Sequence, residues 1–361
     1  MKKVLIYFNS LQPSGGIERV IATLSNRLIE IYDITILVKD EPISFYPLHS
    51  RIKVVSLNNP LVFNMSSQLS RILKITQSFV KTHKLLKAFL RLYEFDYYYV
   101  AHPLNALEFH LAKGISTKVI VTEHGSQTAY NTIYKRLKKW LYPKAKAYIV
   151  PTKTDTQLYK NLNLPAIYIP HFRSELNYSN SDRANRLILT VGRFTAVKQQ
   201  LILLKMWNEL VQEYPQMDWI LQIAGSGELK NQMEKFIADN QLRDKVQILP
   251  PIKDVNHYYK NASFFVLTSS SEGFGMVLLE AISFGLPCIS FDCPSGPRDV
   301  IKNNVNGILV EQDNQTRFKQ AMLMLITDEK KLNIMGDNAY RGSFEWADQI
   351  VLDKWINVLN T

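Results

Sequence analysis

Val266-Leu-Thr-Ser-Ser-Ser-Glu-Gly-Phe-Gly-Met-Val-Leu-Leu-Glu-Ala-Ile-Ser-Phe-Gly285 is the stretch whose reading decides the fold of this 361-residue chain. Phe264–Leu267, which leads into it, is a short apolar run with aromatic and β-branched members, the pattern of a buried strand. Ser269, Ser270 and Ser271 end that run. Gly273 and Gly275 bracket Phe274 in a turn that needs backbone freedom or the close approach of another group. From Met276 the order Met-Val-Leu-Leu-Glu-Ala-Ile reads as a buried helix, stopped at Gly285 with Pro287 beyond. A strand that runs through a glycine loop into a helix leaves free amides at the helix start, a ready site for an anion.

Two carboxylates flank that site: Glu272 in the loop, and Glu280 about one turn into the helix. Acids there repel a phosphate unless they hold something else. Each can accept hydrogen bonds from a sugar diol, so a ligand carrying both phosphates and hydroxyls, a nucleotide sugar, reconciles the two. Taken singly, Glu272 also reads as a helix cap and Glu280 as a solvated helix residue. The glycines between them favour the joint reading.

Glu272 and Glu280, with seven residues between, and the Glu-Gly-Phe-Gly turn between strand and helix resemble the signature of the retaining glycosyltransferases of family 4. The resemblance covers the whole chain and is densest from Val191 to Val310. It implies an α/β protein of GT-B architecture. Two Rossmann-like domains with parallel sheets face a cleft, and the C-terminal helix crosses back to the N-terminal domain. The implied division is residues 1–172 with the returning helix 344–361, and residues 173–343 as the nucleotide-sugar-binding domain.

Bulk properties agree with two domains. A hydrophobic content of 46% against 21% charged is that of an ordinary globular protein. No apolar run approaches the eighteen or so residues of a membrane span. The opening Met1–Phe8 reads as a first strand rather than a signal peptide, because its apolar run is too short. Cys288 and Cys293 have no metal-ligand partners at sensible spacing, which suggests a reducing cytoplasm. Charge is lopsided: residues 1–172 carry 23 Lys and Arg against 10 Asp and Glu, net +13, and the remainder is −2. The N-terminal half therefore suits an acidic partner: nucleic acid, an anionic membrane surface or a phosphorylated acceptor.

The chain opens with a strand at Val4–Phe8, a loop at Gln12–Gly16 and helical periodicity over Ile17–Leu28, without a Gly-x-Gly-x-x-Gly fingerprint. Strand-like runs recur at Ile34–Val38, Ile52–Leu57, Tyr97–Ala101, Val119–Thr122 and Tyr148–Val150, alternating with helical stretches as a parallel sheet requires. Residues 68–92 hold Arg71, Lys74, Lys81, Lys84, Lys87 and Arg91 without an acid before Glu94. Residues 133–146 place Lys135, Arg136, Lys138 and Lys139 beside Trp140 and Tyr142. Basic residues interleaved with aromatics on short helices suit an anionic bilayer. Nucleic acid is the rival reading, but no zinc spacing or RNA-binding aromatic box supports it, and no nucleic-acid partner is expected. His124 follows a strand directly, at the edge where doubly wound sheets bind ligands, and the resemblance gives it the role of the histidine near the donor sugar.

Arg173–Arg186 is polar and aperiodic and reads as the interdomain linker. The second domain opens with the strand Leu187–Val191, then Gly192-Arg193-Phe194-Thr195-Ala196-Val197-Lys198. An arginine fork and a lysine point charge in that loop are placed to grip a diphosphate. The resemblance assigns this role to Arg193 and Lys198. It departs at Gln199, where the family often has glycine. Further strands are expected at Trp219–Ala224, Lys245–Leu249 and Cys288–Asp292, with Gly225-Ser226-Gly227 in a loop. By resemblance, Ile252 and Lys253 meet the nucleobase; Arg298, after the last of these strands, is placed at the cleft by its position alone. Residues 293–299 are otherwise read as structural.

The resulting expectation is transfer of a hexose or N-acetylhexosamine from a nucleotide diphosphate sugar, UDP-linked, to a lipid-linked glycan. Arg193, Lys198 and the amides at Gly275–Met276 stabilise the departing diphosphate, with Gly15 and Gly16 adding backbone donors. Gly273, Phe274, Gly275 and Met276 form the loop around it. Glu272 holds donor-sugar hydroxyls and Glu280 the ribose diol. The chain has no Asp-x-Asp, so no metal and no cofactor is expected. Retention of configuration is implied by the resemblance alone. The expected location is cytoplasmic, peripheral at the inner face of the plasma membrane. Two other readings stand beside this one: a nucleotide-sugar epimerase of related architecture, and a non-catalytic membrane-associated scaffold.

Overall fold

The computed structural model describes residues 1–60, 68–126, 130–252 and 254–360. The chain divides into two compact units, Met1–Phe172 with Asp348–Thr361, and Arg173–Ala347. In the first unit β1 (Lys3–Tyr7), α1 (Gly16–Leu28), β2 (Asp33–Val38) and β3 (Lys53–Ser56) come first. Next are α2 (Gln68–Leu92), β4 (Tyr97–Val100), α3 (Pro103–Ala112), β5 (Val119–Thr122) and α4 (Thr132–Leu141). β6 (Ala147–Val150), α5 (Lys153–Asn161) and β7 (Ala166–Tyr168) complete its sheet. The order is β3-β2-β1-β4-β5-β6-β7, with all pairings parallel.

The second unit carries β8 (Leu187–Val191), α6 (Gln200–Glu213), β9 (Ile220–Ala224), α7 (Lys230–Asp239) and β10 (Val246–Leu249). It continues with α8 (Asn256–Asn261), β11 (Phe264–Leu267), α9 (Met276–Ser283), β12 (Cys288–Phe291) and α10 (Pro297–Val300). β13 (Gly307–Val310), α11 (Gln315–Thr327) and α12 (Glu329–Gly342) close it. This sheet is also parallel, in the order β10-β9-β8-β11-β12-β13. Strands such as β5, β6, β11 and β12 are buried along their whole length. They read as continuous apolar runs rather than alternations because helices cover both faces of a parallel sheet. β7 and β13 escape sequence reading: one is only three residues long, and the other opens on a glycine.

The last helix, α13 (Asp348–Asn360), starts later than the apolar pattern from Phe344 suggests, because Ser343–Trp346 forms a separate 3-10 turn. Val351, Trp355, Val358 and Leu359 are buried in the core of the first unit, spaced as one helical stripe. The Trp355 ring lies 6.0 Å from that of Tyr99, and Arg27 pairs with Asp348 at 2.9 Å.

On the first unit α2 packs against α3, and α3 against α4. Lys81, Lys84, Lys87, Arg91, Lys135, Arg136 and Lys139 on these helices are exposed, with Ile133, Trp140 and Leu92 exposed beside them. The side chains of Arg71 and Lys74 lie outside the described residues. Lys138 departs from the expected membrane-facing set. It is only 2% exposed and its ammonium is paired with Glu123. No helix among the described residues is long and apolar enough to cross a membrane.

Candidate active site

In the second sheet the strand order reverses between β8 and β11, and such a switch point opens a crevice beyond the carboxyl ends of the strands. The loop after β8 carries Arg193 and Lys198; the loop after β11 carries Glu272, Gly273, Phe274 and Gly275. The structure brings two of the expected residues into contact: Lys198 Nζ lies 2.6 Å from Glu272 Oε1. The lysine side chain is 24% exposed and the glutamate 8%, so the pair sits at a rim with the carboxylate facing inward.

Several contacts fix these loops. The Thr268 hydroxyl donates to the Lys198 carbonyl at 3.0 Å, and the Ser270 amide donates to the Val197 carbonyl at 2.9 Å. The Gly225-Ser226-Gly227 loop lies against residues 192–194. A side chain on Gly225 would come within 2.0 Å of the Gly192 carbonyl oxygen, and one on Gly227 within 2.5 Å of that of Phe194. Both glycines have positive φ. On the other side the Ser295 hydroxyl donates to the Gly273 carbonyl at 3.2 Å. A Cβ on Gly296 would stand 2.8 Å from the carbonyl oxygen of Phe274. Residues 293–296 thus hold the Gly273–Gly275 turn from behind.

Gly275 is left-handed at φ 81° and immediately precedes α9, whose first residue is Met276. Gln199 is left-handed too, at φ 53° and ψ 33°, and starts α6. The family's glycine at this place is explained by that conformation, which a side chain adopts at a cost of about 1–2 kcal/mol.

Arg193 is exposed, and among the described residues its guanidinium makes no ion pair or hydrogen bond. Ile252 is partly buried against the core beside α9, and Lys253 lies outside the described residues. Arg298 forms a two-pronged pair with Asp292, both contacts at 2.9 Å, and so is committed within its own loop.

Glu280 is not the solvated helix residue that it could have been. It is 1% exposed, its Oε1 accepts from the Ser174 hydroxyl at 2.5 Å, and its Oε2 accepts from Tyr259 at 2.7 Å. Both partners escaped sequence reading. Ser174 lies in the polar linker and Tyr259 on a short helix, with no local signal for either.

The first unit gathers the remaining candidates. Gly15 precedes α1 and Gly16 begins it, and the Glu18 carboxylate folds back over Gly15, within 2.2 Å of where a Cβ would be. His124 stands after β5. Its Nε2 is 3.2 Å from the Tyr99 hydroxyl and 3.0 Å from that of Thr122, and its ring stacks on His171 at 5.5 Å. Its Nδ1 is buried without a partner. Burial pushes the imidazole down to about 4, against a weaker opposing pull from Glu123, so the ring is neutral at pH 7. These residues surround a cavity of about 10 Å³ that Trp355 of α13 helps to line.

Beneath His124 lies a network that sequence reading missed. Glu123, 2% exposed, accepts hydrogen bonds from the amides of His124 and Gly125 and from Tyr130, Tyr148, Tyr159 and Lys138. A second buried pair, Lys39 with Glu108 at 2.7 Å, joins Tyr7 and Asn105 near the ends of β1 and β2. Among the described residues no three His, Cys, Asp or Glu side chains gather closely enough to hold a metal ion.

Comparison with known proteins matches residues 14–186 to the model described as glycosyltransferase family 4, and residues 173–342 to that of glycosyl transferases group 1. Over its whole length the chain is 26% identical to all of the amylovoran biosynthesis glycosyltransferase AmsD of Erwinia amylovora. It is 27% identical, over 96% of this chain and 95% of the relative, to a Campylobacter jejuni enzyme. That enzyme is named as an α-1,4-N-acetyl-D-galactosaminyltransferase acting on a diphosphoundecaprenol-linked glycan. In structure, S. aureus TarM in complex with fondaparinux, α-GlcNAc-glycerol and UDP superposes with a TM-score of 0.81 at 15% identity, covering 100% of both chains. That likeness fixes the fold as GT-B.

Proposed function

The chain belongs to the family 4 glycosyltransferases. From that premise we propose that it moves a hexose or N-acetylhexosamine, with retention of configuration, from a UDP-linked donor to a lipid-linked glycan. The observation that carries this reading is the Lys198–Glu272 contact at 2.6 Å, at the switch point of the second sheet, beside an exposed Arg193. During transfer the bond from the anomeric carbon to the diphosphate breaks, its electron pair leaves on the diphosphate oxygen, and the acceptor hydroxyl oxygen bonds to that carbon as its proton passes to the departing diphosphate. Lys198, with two further ammonium protons to give, and the Arg193 fork meet the departing charge. One such donor contributes about 10²–10³-fold in rate. Protein cations filling this place support a reaction that needs no metal or other cofactor. Glu272 then exchanges part of its contact with Lys198 for donor-sugar hydroxyls.

The ribose role of Glu280 requires a diol to share oxygens already bonded to Ser174 and Tyr259. The roles of Gly15, Gly16 and His124, and the nucleobase contacts of Ile252 and Lys253, follow the family resemblance. Campylobacter and Erwinia relatives named for lipid-linked glycan transfer and polysaccharide biosynthesis support the acceptor class. So does the cationic, partly apolar face of α2 and α4, which suits peripheral binding at the inner face of the plasma membrane. The test is a panel of nucleotide sugars with and without undecaprenyl-diphosphate glycans, scored for transfer and thermal stabilisation. A UDP-hexose or UDP-N-acetylhexosamine is expected to stabilise the protein and to be consumed when acceptor is present. Turnover of none, or epimerisation without acceptor, would overturn the reading.

A further inference from the structure

Glu123 is buried with more donors than its charge alone calls for. Oε1 accepts from two successive amides, His124 at 3.0 Å and Gly125 at 3.2 Å, and from the Tyr130 hydroxyl at 2.7 Å. Oε2 accepts from Lys138, from Tyr148 and, at 2.7 Å, from Tyr159. The Lys138 ammonium also donates to Tyr159 at 2.9 Å and sits 3.4 Å from the centre of the Tyr130 ring. A buried ion pair is a poor way to stabilise a fold, since apolar residues of equal volume commonly do as well. What apolar residues cannot do is hold two backbone amides of a turn. Here one oxygen holds both amides of the turn that carries His124, and the other ties that turn to α4, β6 and α5. Tyr130 closes it from the far side, since a Cβ on Gly125 would meet the Tyr130 hydroxyl at 3.0 Å.

We propose that Glu123 and Lys138 are positioning residues, which set the His124–Gly125 turn against α4 and so hold His124 in place for the reaction. The consequence for catalysis rests on the donor-side role given above to His124; the consequence for the turn does not. Three variants separate the two. Tyr130→Phe removes one hydroxyl and leaves the ion pair. Lys138→Met leaves the carboxylate uncompensated. In Glu123→Gln/Lys138→Met the amide oxygen of the glutamine can still accept from both turn amides, and its NH₂ can donate to Tyr148 or Tyr159.

Hydrogen exchange at the His124 and Gly125 amides is measured without ligand, alongside kcat and KM for release of UDP from UDP-N-acetylgalactosamine and the melting temperature. Exchange at these two amides is expected to rise at least tenfold in Tyr130→Phe and Lys138→Met relative to the amides of β5. The kcat of Lys138→Met should fall at least tenfold with the donor KM within twofold, because the cations proposed to hold the diphosphate, Arg193 and Lys198, lie on the other unit. The double variant should recover kcat to within threefold of the parent. Unchanged exchange in Tyr130→Phe would overturn the proposal, as would a kcat loss that follows the melting temperature and is not rescued. If the parent releases UDP from no donor of the panel even with acceptor present, while the exchange result holds, the functional reading fails and the positioning of the turn stands.

Discussion

Lys198 and Glu272 share one contact, so truncating either residue acts on both chemistry and stability. Lys198→Ala removes a cation from the diphosphate position and leaves a carboxylate that is 8% exposed without its partner. Transfer is expected to fall by at least 10², with a stability loss of about 1–2 kcal/mol that leaves the protein folded at 25 °C. Glu272→Ala should abolish transfer equally while costing less stability, because Lys198 can turn to solvent. Wild-type turnover in both variants would refute the assignment. The histidines give a pH prediction. Burial lowers His102 and His124 each to about 4, below the usual 6.5. The unfolded chain therefore binds more protons between those values. The stability they contribute is complete above pH 6.5 and lost as pH falls toward 4, by up to roughly 3 kcal/mol per ring. Denaturant midpoints that stay flat over that interval would contradict it. At this scale Glu272 and Arg193 stand out in the sequence because each borders a glycine near a strand-like run, and Lys198 because it closes the same loop as Arg193. Lys138 misled because its partner, Glu123, lies fifteen positions upstream, and only the fold brings the two together.

Loops that look alike in sequence differ in what their backbone asks for. Gln199 occupies a left-handed position that glycine adopts freely. Relief of about 1–2 kcal/mol is offset by the glycine's greater unfolded freedom of roughly 0.5–1 kcal/mol. Gln199→Gly should thus raise the melting temperature by about 2 °C, and a fall would mean that the glutamine side chain contributes packing there. The start of α6, doubtful when read from Gln199 alone, is present because Thr268 and Ser270 brace the preceding turn. Of the strands that sequence reading missed, β7 is too short to show a period and β13 opens on a glycine. α4 was legible as a basic, aromatic helix but not in its facing, which needs to know what packs behind it. Vesicles of anionic lipid should bind the protein through Lys135, Arg136 and Lys139, each contributing about 1 kcal/mol near the surface. Neutralising these three, or raising salt, should release it. Partitioning that ignores both would argue against electrostatic docking.

Over the whole molecule net charge is lopsided, with +13 on residues 1–172 and −2 on the rest. The two parallel sheets were readable because strands and helices alternate along the entire chain, and because parallel strands buried on both faces are apolar throughout. The packing of α13 into the first unit had no such local signal. Its apolar stripe names a buried face but not the surface that buries it, and here Trp355 supplies the answer by meeting Tyr99. The proposed transfer depends above all on where an activated sugar binds. A crystal structure of the protein with UDP-N-acetylgalactosamine tests this most directly. The diphosphate is expected within hydrogen-bond distance of Lys198 Nζ and the Arg193 guanidinium, with the sugar hydroxyls on Glu272. A donor bound with its diphosphate away from residues 193–280 would contradict it.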